Sequence, residues 1–469
     1  MKRIKPGRMP FFALILLLGL ALAGCGGGSN SPQASTGPSN PNAPTAPASA
    51  PTPASEPTPA PTPASAPTPA SATTPAPASA PTPASTPAVQ NAPGTVQGVT
   101  GGNTVTSPTA VTVYGSLANP DNKLIIPVVA LGSLTLPTPS PLVLDTGSAG
   151  MVINAQDVFP ATMVSTSGFV FPPGQNTMTY HGITVTNVQV SKSFGGGGHI
   201  DYGNIGFATV RFGGHGELTT NLMPVLFSYK TLDGNGQPLN LPWHGTFGVH
   251  AGNYSAVASG AASSGSLNLC SLQSINSNGC DTVSVLRYLN YAPGVNAGFS
   301  LGNATLDPNC AITATMTGCT LQAPLTVGLS AADEQAYASM TLTCPPSGGP
   351  AGSDHGVTAC DPDIPGFTIS DSGSGESFKT KIIFDSGTAD MQFLVAPTAT
   401  FPRSLTPLST ETLVLAASPF TYSYQVDADL PFITKFGDYA KSDRTIIGIG
   451  FFTNHEMFID FGSNLEGWK

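Results

Sequence analysis

Basic side chains are scarce in this chain of 469 residues, which carries 16 Lys+Arg against 26 Asp+Glu. Four of the bases, Lys2, Arg3, Lys5 and Arg8, crowd the first eight positions. Without them 12 bases face 26 acids, a net charge near −14. That leaves no basic surface for nucleic acid. Residues 26–122 contain no Lys or Arg at all. Two catalytic signatures are also missing: there is no His-Glu-x-x-His and no P-loop. A zinc site is a competing reading of the cysteines, disfavoured because neither Cys-x-x-Cys nor His-x-x-x-His spacing occurs. Asp233-Gly234-Asn235-Gly236 begins like a calcium loop, but its ligand series stops there and a tight turn is expected. No metal, cofactor or nucleic-acid partner is expected. Helical periodicity is rare too, which argues against an α-helical core.

The opening segment carries an address. After the positive start, Phe11 to Leu22 is an apolar run too short for a comfortable membrane span. Leu22-Ala23-Gly24-Cys25 resembles a bacterial lipobox, which implies a lipoprotein signal peptide at 1–24 and acylation of Cys25. The competing reading is an ordinary signal peptide with an incidental cysteine. Gly26 follows the cysteine where an Asp would suggest inner-membrane retention. By that resemblance the expected location is the bacterial cell envelope, lipid-anchored at the outer membrane on its periplasmic or surface face.

Residues 25–107 are rich in Pro, Ala, Ser and Thr and hold few large apolar side chains. Pro-Thr-Pro-Ala-Ser recurs from Ala48 to Pro87. Such a stretch favours extended polyproline II and cannot pack a core, so it is expected to be a disordered linker. At ~3.1 Å per residue, about sixty residues could reach on the order of 190 Å.

Seven cysteines are present. Setting Cys25 aside for lipid leaves Cys270, Cys280, Cys310, Cys319, Cys344 and Cys360, an even number suited to an oxidising compartment. Six cysteines allow 15 connectivities. Loop-closure cost favours pairing of sequence neighbours.

The remaining 359 residues, Val111 to Lys469, are long for one core and suit two lobes. Short apolar strands with Gly, Asn and Pro turns dominate, including Ile125–Leu131, Gly182–Val190, Gly206–Phe212, Gly298–Leu301, Ala338–Leu342 and Met457–Phe461. The clearest helical candidate is Thr282–Leu289. The pattern is all-β with minor helix.

Two tetrads carry the chemistry: Asp145-Thr146-Gly147-Ser148 and Asp385-Ser386-Gly387-Thr388, 240 residues apart. Leu142-Val143-Leu144 precedes the first and Ile382-Ile383-Phe384 the second. Mostly apolar stretches follow, from Met151 and Met391. A third match, Asp371-Ser372-Gly373-Ser374, lacks a preceding apolar strand and is expected to be a polar turn. Further segments come in order: Phe194-Gly195-Gly196-Gly197 leading to Gly206-Phe207-Ala208-Thr209-Val210, then His244-Gly245-Thr246-Phe247-Gly248-Val249, then Thr445-Ile446-Ile447-Gly448 with Met457–Phe461.

With these segments, most of residues 111–469 resembles the pepsin-like aspartic proteases. It is also similar to uncharacterised bacterial lipoproteins with an Asp-Thr-Gly-Ser box. The resemblance implies a bilobal all-β acid protease fold, with an N-terminal lobe at 108–305, a C-terminal lobe at 306–469 and a cleft between them. It implies Asp145 and Asp385 as a catalytic pair sharing one proton, since two close carboxylates cannot both ionise; pepsin is the reference case of that behaviour. Thr146, Gly147, Ser148, Ser386, Gly387 and Thr388 would support the pair. Phe194 and Gly195 would stand in the flap, with Phe194 where the family usually has Tyr and Tyr202 as an alternative. The stretch after the first tetrad has Met151-Val152-Ile153 where the family often has Trp. The implied activity is an aspartic endopeptidase cutting an extended peptide, acting as a monomer that touches membrane only through its lipid. The alternatives are a pepsin-like lipoprotein without catalysis that binds a peptide, glycan or host protein, its aspartates being mere strand ends, and a surface scaffold whose stalk matters most. The family's basic pro-segment has no counterpart in the base-free spacer, so no zymogen step is expected.

Overall fold

The computed structural model describes residues 95–96, 101–116, 123–194, 198–258, 267–272, 275, 277–304, 325–344, 360–361, 363–371, 377–389, 391–395, 410–415, 420–425, 434–438 and 444–469. The expected signal segment, Cys25, most of the linker, Gly195, Cys310 and Cys319 lie outside the described residues. Strands dominate, and the fold is the bilobal all-β, pepsin-like one.

The first lobe is built on a 13-stranded sheet. Its organising feature follows from the first tetrad. Leu134–Asp145 and Ala149–Asn154 are joined by three residues, yet they are not neighbours in the sheet. The strand Gly245–Val249 threads between them, parallel to the first and antiparallel to the second. Gly248 stands beside both Asp145 and Gly150 in register. The tetrad therefore arches over the end of a strand that arrives about 100 residues later.

The second lobe repeats the device in a 7-stranded sheet. Arg444–Ile447 threads between Ser377–Phe384, to which it is parallel, and Met391–Val395, to which it is antiparallel. The equivalence extends to single bonds. His250 N donates to Ser148 O at 2.9 Å, and Ile449 N donates to Thr388 O at 2.9 Å. Beneath the second tetrad Phe384 packs on Phe451 (4.6 Å between centroids) and Trp468 (5.4 Å), an aromatic floor for the loop.

A third, 6-stranded sheet draws on both halves of the chain. In it Asn296–Gly302 pairs with Leu325–Leu329 on one side and with Glu456–Asp460 on the other. It lies across the lobe boundary expected at 305/306.

Three expectations need correction. Thr282–Leu289 is no α-helix: the strand Gly279–Val283 runs into a short 3-10 turn, Val285–Tyr288. Thr282, Ser284 and Arg287 are as buried as the apolar residues between them, so there is no solvent-facing stripe to sustain a helix. The third tetrad does follow a strand, because Ile364–Asp371 pairs with Ser377–Phe384 as a hairpin. The end of the expected linker belongs to the fold. Val96 and Val105 are buried, Val96 N donates to Arg287 O at 2.9 Å, and Thr104–Val105 pairs with Asn290–Tyr291.

Two local expectations hold. Cys270 bonds Cys280 and Cys344 bonds Cys360, as neighbour pairing implied. Asp233 opens a tight turn, its carboxylate accepting from Asn235 N (2.9 Å) and Gln237 N (2.7 Å).

Candidate active site

Each tetrad starts at the end of a buried strand, so its aspartate arrives enclosed. Asp145 is 2 % exposed and Asp385 is fully buried. Each carboxylate is held from within its own loop. Asp145 Oδ1 accepts from Gly147 N (2.8 Å) and Oδ2 from Ser148 Oγ (2.6 Å). Asp385 Oδ1 accepts from Gly387 N (2.8 Å) and Oδ2 from Thr388 Oγ1 (2.7 Å). Each carboxylate also lies against the other loop. A methyl at Gly147 would sit 2.4 Å from Asp385 Cγ, and one at Gly387 would sit 2.7 Å from Asp145 Cγ. Both glycines are required for the carboxylates to approach.

The second residue of each tetrad ties the loops together. Thr146 Oγ1 donates to Phe384 O (2.7 Å) and accepts from Ser386 N (2.9 Å). Reciprocally, Ser386 Oγ donates to Leu144 O (2.7 Å) and accepts from Thr146 N (3.1 Å). All four bonds are buried and cross between the lobes. Serine at 386 keeps the hydroxyl that this exchange needs and gives up only a methyl.

Electrostatics follow from enclosure. Burial, then the neighbouring Asp385 charge, push the Asp145 carboxyl up to about 7, against the opposing pull of Ser148 Oγ and Gly147 N–H. The pair therefore retains a proton into the neutral range and is best treated as one titrating unit. Just past the first threading strand, burial and the Arg444 and Arg287 charges hold His250 down at about 3. His250 stays neutral, with Nδ1 accepting from Gly252 N at 2.8 Å.

The structure brings together every dyad and supporting residue expected from the sequence. The flap is different. A hairpin is present, Ile183–Phe194 against His199–Ala208, with Phe194 opposite His199. Phe194, however, is 3 % exposed and enclosed in a small core with Val190, Ile205 and Leu226, stacked on His199 (4.8 Å) and Tyr254 (5.7 Å). It is not an open apolar cover. Tyr202 carries the Lys230 ammonium 4.6 Å from its ring centroid.

Two lysines missed from the sequence touch the site. Lys123 Nζ donates to Gly387 O, a further link from the first lobe to the second tetrad. Lys192, almost fully buried, donates from Nζ to Ala149 O at 2.6 Å, directly after the first tetrad. Both contacts span long separations, and no local signal announces them.

No family model matches this chain, and no curated protein matches it. Among solved structures, the aspartic proteinase from Irpex lacteus is similar at 14 % identity, covering 77 % of this chain and 97 % of that one, with a TM-score of 0.46.

Proposed function

We propose that this protein is an aspartic endopeptidase that hydrolyses extended peptides with a water activated between Asp145 and Asp385. One observation carries the reading: two buried carboxylates, each held by its own loop and set against the other, with their loops locked by the Thr146–Ser386 exchange. With the shared proton on Asp145, Asp385 is the base that takes a proton from water. Asp145 then donates a hydrogen bond to the scissile carbonyl as charge develops on its oxygen. No covalent intermediate is needed. Ser148, Thr388 and the two glycine N–H groups hold the carboxylates in place, so the reaction requires little reorganisation.

In the same proposal the mature chain is acylated at Cys25 and carried by the Pro-rich linker at the bacterial envelope. The lobes are 108–305 and 306–469, although the buried Val96 and Val105 argue for an earlier start. The test is incubation of the mature chain with a degenerate peptide library from pH 3 to 7, with and without a statine-type inhibitor. Inhibitor-sensitive cleavage supports the reading. A chain that binds library peptides but cleaves none at any pH would leave a non-catalytic peptide binder instead.

A further inference from the structure

The sheet face that presents Asp145 continues into a cavity. Side chains two apart on a strand share a face, so Val143 lies on the Asp145 side of Leu134–Asp145. Register places Thr246 beside Val143 and opposite Val152. Val152 and Thr246 help to line a cavity of about 610 Å³. It thus begins two residues back from the catalytic aspartate, on the same face.

Its walls are polar and ionisable. They include His199, Lys230, Trp243 and His244. His199 Nε2 lies 3.7 Å from Asp201 Oδ2, and His244 Nδ1 lies 2.6 Å from Asp157 Oδ2. Asp201 is further held by Thr231 Oγ1 (2.5 Å) and Ser228 Oγ (3.3 Å), and Asp157 by Ser140 Oγ (2.6 Å). The other charged groups facing these side chains are Asp233, opposite His199 in register, and Lys192, whose ammonium lies 5.2 Å from the Phe194 ring that stacks on His199. Lys123 Nζ lies 5.3 Å from the Trp243 ring. Lys230 is exposed, and Tyr229 and Tyr202 flank it.

The charge of the wall therefore depends on pH. With His244 neutral, Asp157, Asp201 and Asp233 balance Lys230, Lys192 and Lys123. With His244 protonated, Asp157 is matched by its own partner and the wall carries a positive charge in excess. Asp157 favours the protonated form of His244. The wall is thus positive in mild acid, while an ordinary carboxylate is still ionised.

We propose that this cavity is a subsite for a carboxylate-bearing side chain, Glu or Asp, flanking the scissile bond of the substrate. The inference rests on the peptidase reading for its substrate, but binding at the cavity can be measured without cleavage. The chain has two tryptophans. Trp243 lines the cavity, whereas Trp468 is fully enclosed, so a ligand-dependent change in tryptophan emission reports on the cavity.

The experiment uses the mature chain bearing D385N and matched acetylated octapeptides with Glu, Gln, Lys or Leu fixed at each position in turn. At pH 5 the Glu peptide is expected to bind at least tenfold tighter than its Gln partner at one position. That advantage should fade as pH rises through 7 and fall at least fivefold in K230M and in H244Q. The exposed Lys230 can be replaced without disturbing the core, so K230M stands even if H244Q folds poorly. Equal binding of Leu and Glu peptides at every position, or a Glu preference unchanged in K230M, overturns the proposal. The wild-type chain on the same peptides separates the two readings. Cleavage without Glu preference removes the subsite and leaves the peptidase. Glu-selective binding without cleavage leaves the subsite and removes the peptidase.

Discussion

Replacing Asp145 by Asn removes a proton donor and acceptor while nearly keeping the side chain's shape. D145N and D385N should each lower peptide hydrolysis by about 10²–10⁴-fold or more, with unchanged circular dichroism. D145N has a second consequence. The Asp145 carboxyl is raised in the folded state, so its contribution to stability is complete below the ordinary carboxylate range and is lost as pH rises through about 7. An amide cannot ionise. D145N should therefore match the wild type near pH 3 and exceed it at pH 8 by on the order of a few kcal/mol, read as a higher Tm. A variant of equal stability at both pH values would contradict the enclosed, raised carboxyl. Thr146→Val tests the lock. It keeps the volume but leaves Phe384 O and Ser386 N without their hydroxyl partner. The expected cost is about 2 kcal/mol or more in chemical denaturation, with a fall in kcat as the loops lose register.

At the scale of elements, the shared sheet carries its own pH dependence. Glu466 lies buried in Leu465–Trp468, and burial pushes its carboxyl up to about 8 against the pull of Trp468. The sign is that of Asp145: the neutral acid is tolerated, and stability is lost as pH rises from the ordinary value towards 8. E466Q should flatten the alkaline side of the Tm–pH curve and leave the acid side unchanged. A parallel downward shift at all pH values would contradict this. The two tetrads and both threading strands were legible in the sequence because each is a short apolar run ending at a fixed polar signature. Ile364–Asp371 was not, because Pro365-Gly366 interrupts it. The pairing with Ser377–Phe384 is irregular there, and Gly366 has a φ of +93°. The turn at Val285–Tyr288 imitated a helix because Ser284 and Arg287, set among apolar residues, look like a polar helix face, whereas both are buried. Lys123 on Gly387, and His199 and His244 in one cavity, depend on contacts between distant segments. Position in the sequence carries no mark of them.

For the whole molecule, the expectation of control without a pro-segment becomes more specific. Lys123 is committed to Gly387 O at the second tetrad, and the spacer before it has no base that could cap the dyad. Deleting residues 26–90, which spares the core-packed Val96, should leave the hydrolysis rate within about twofold of the full mature chain. A full chain that stays silent until its spacer is clipped would contradict this. Cys25→Ala should move the protein from the membrane fraction to the soluble one, since a single acylated cysteine is the anchor implied by the sequence. Retention of the variant in membranes would point to a second anchor.

The account depends most on one proton shared by two aspartates, and carboxyl ¹³C NMR titration of the aspartates observes it directly. With ¹³Cγ-labelled Asp, and the Asp145 resonance assigned by its loss in D145N, the wild type should show Asp145 titrating close to pH 7. In D385N that midpoint should fall as the neighbouring charge is removed, while remaining above the ordinary carboxylate range because burial is the larger cause. An Asp145 resonance that titrates near 4 in both proteins would mean two independent carboxylates and no shared proton, and the catalytic reading would fall with it.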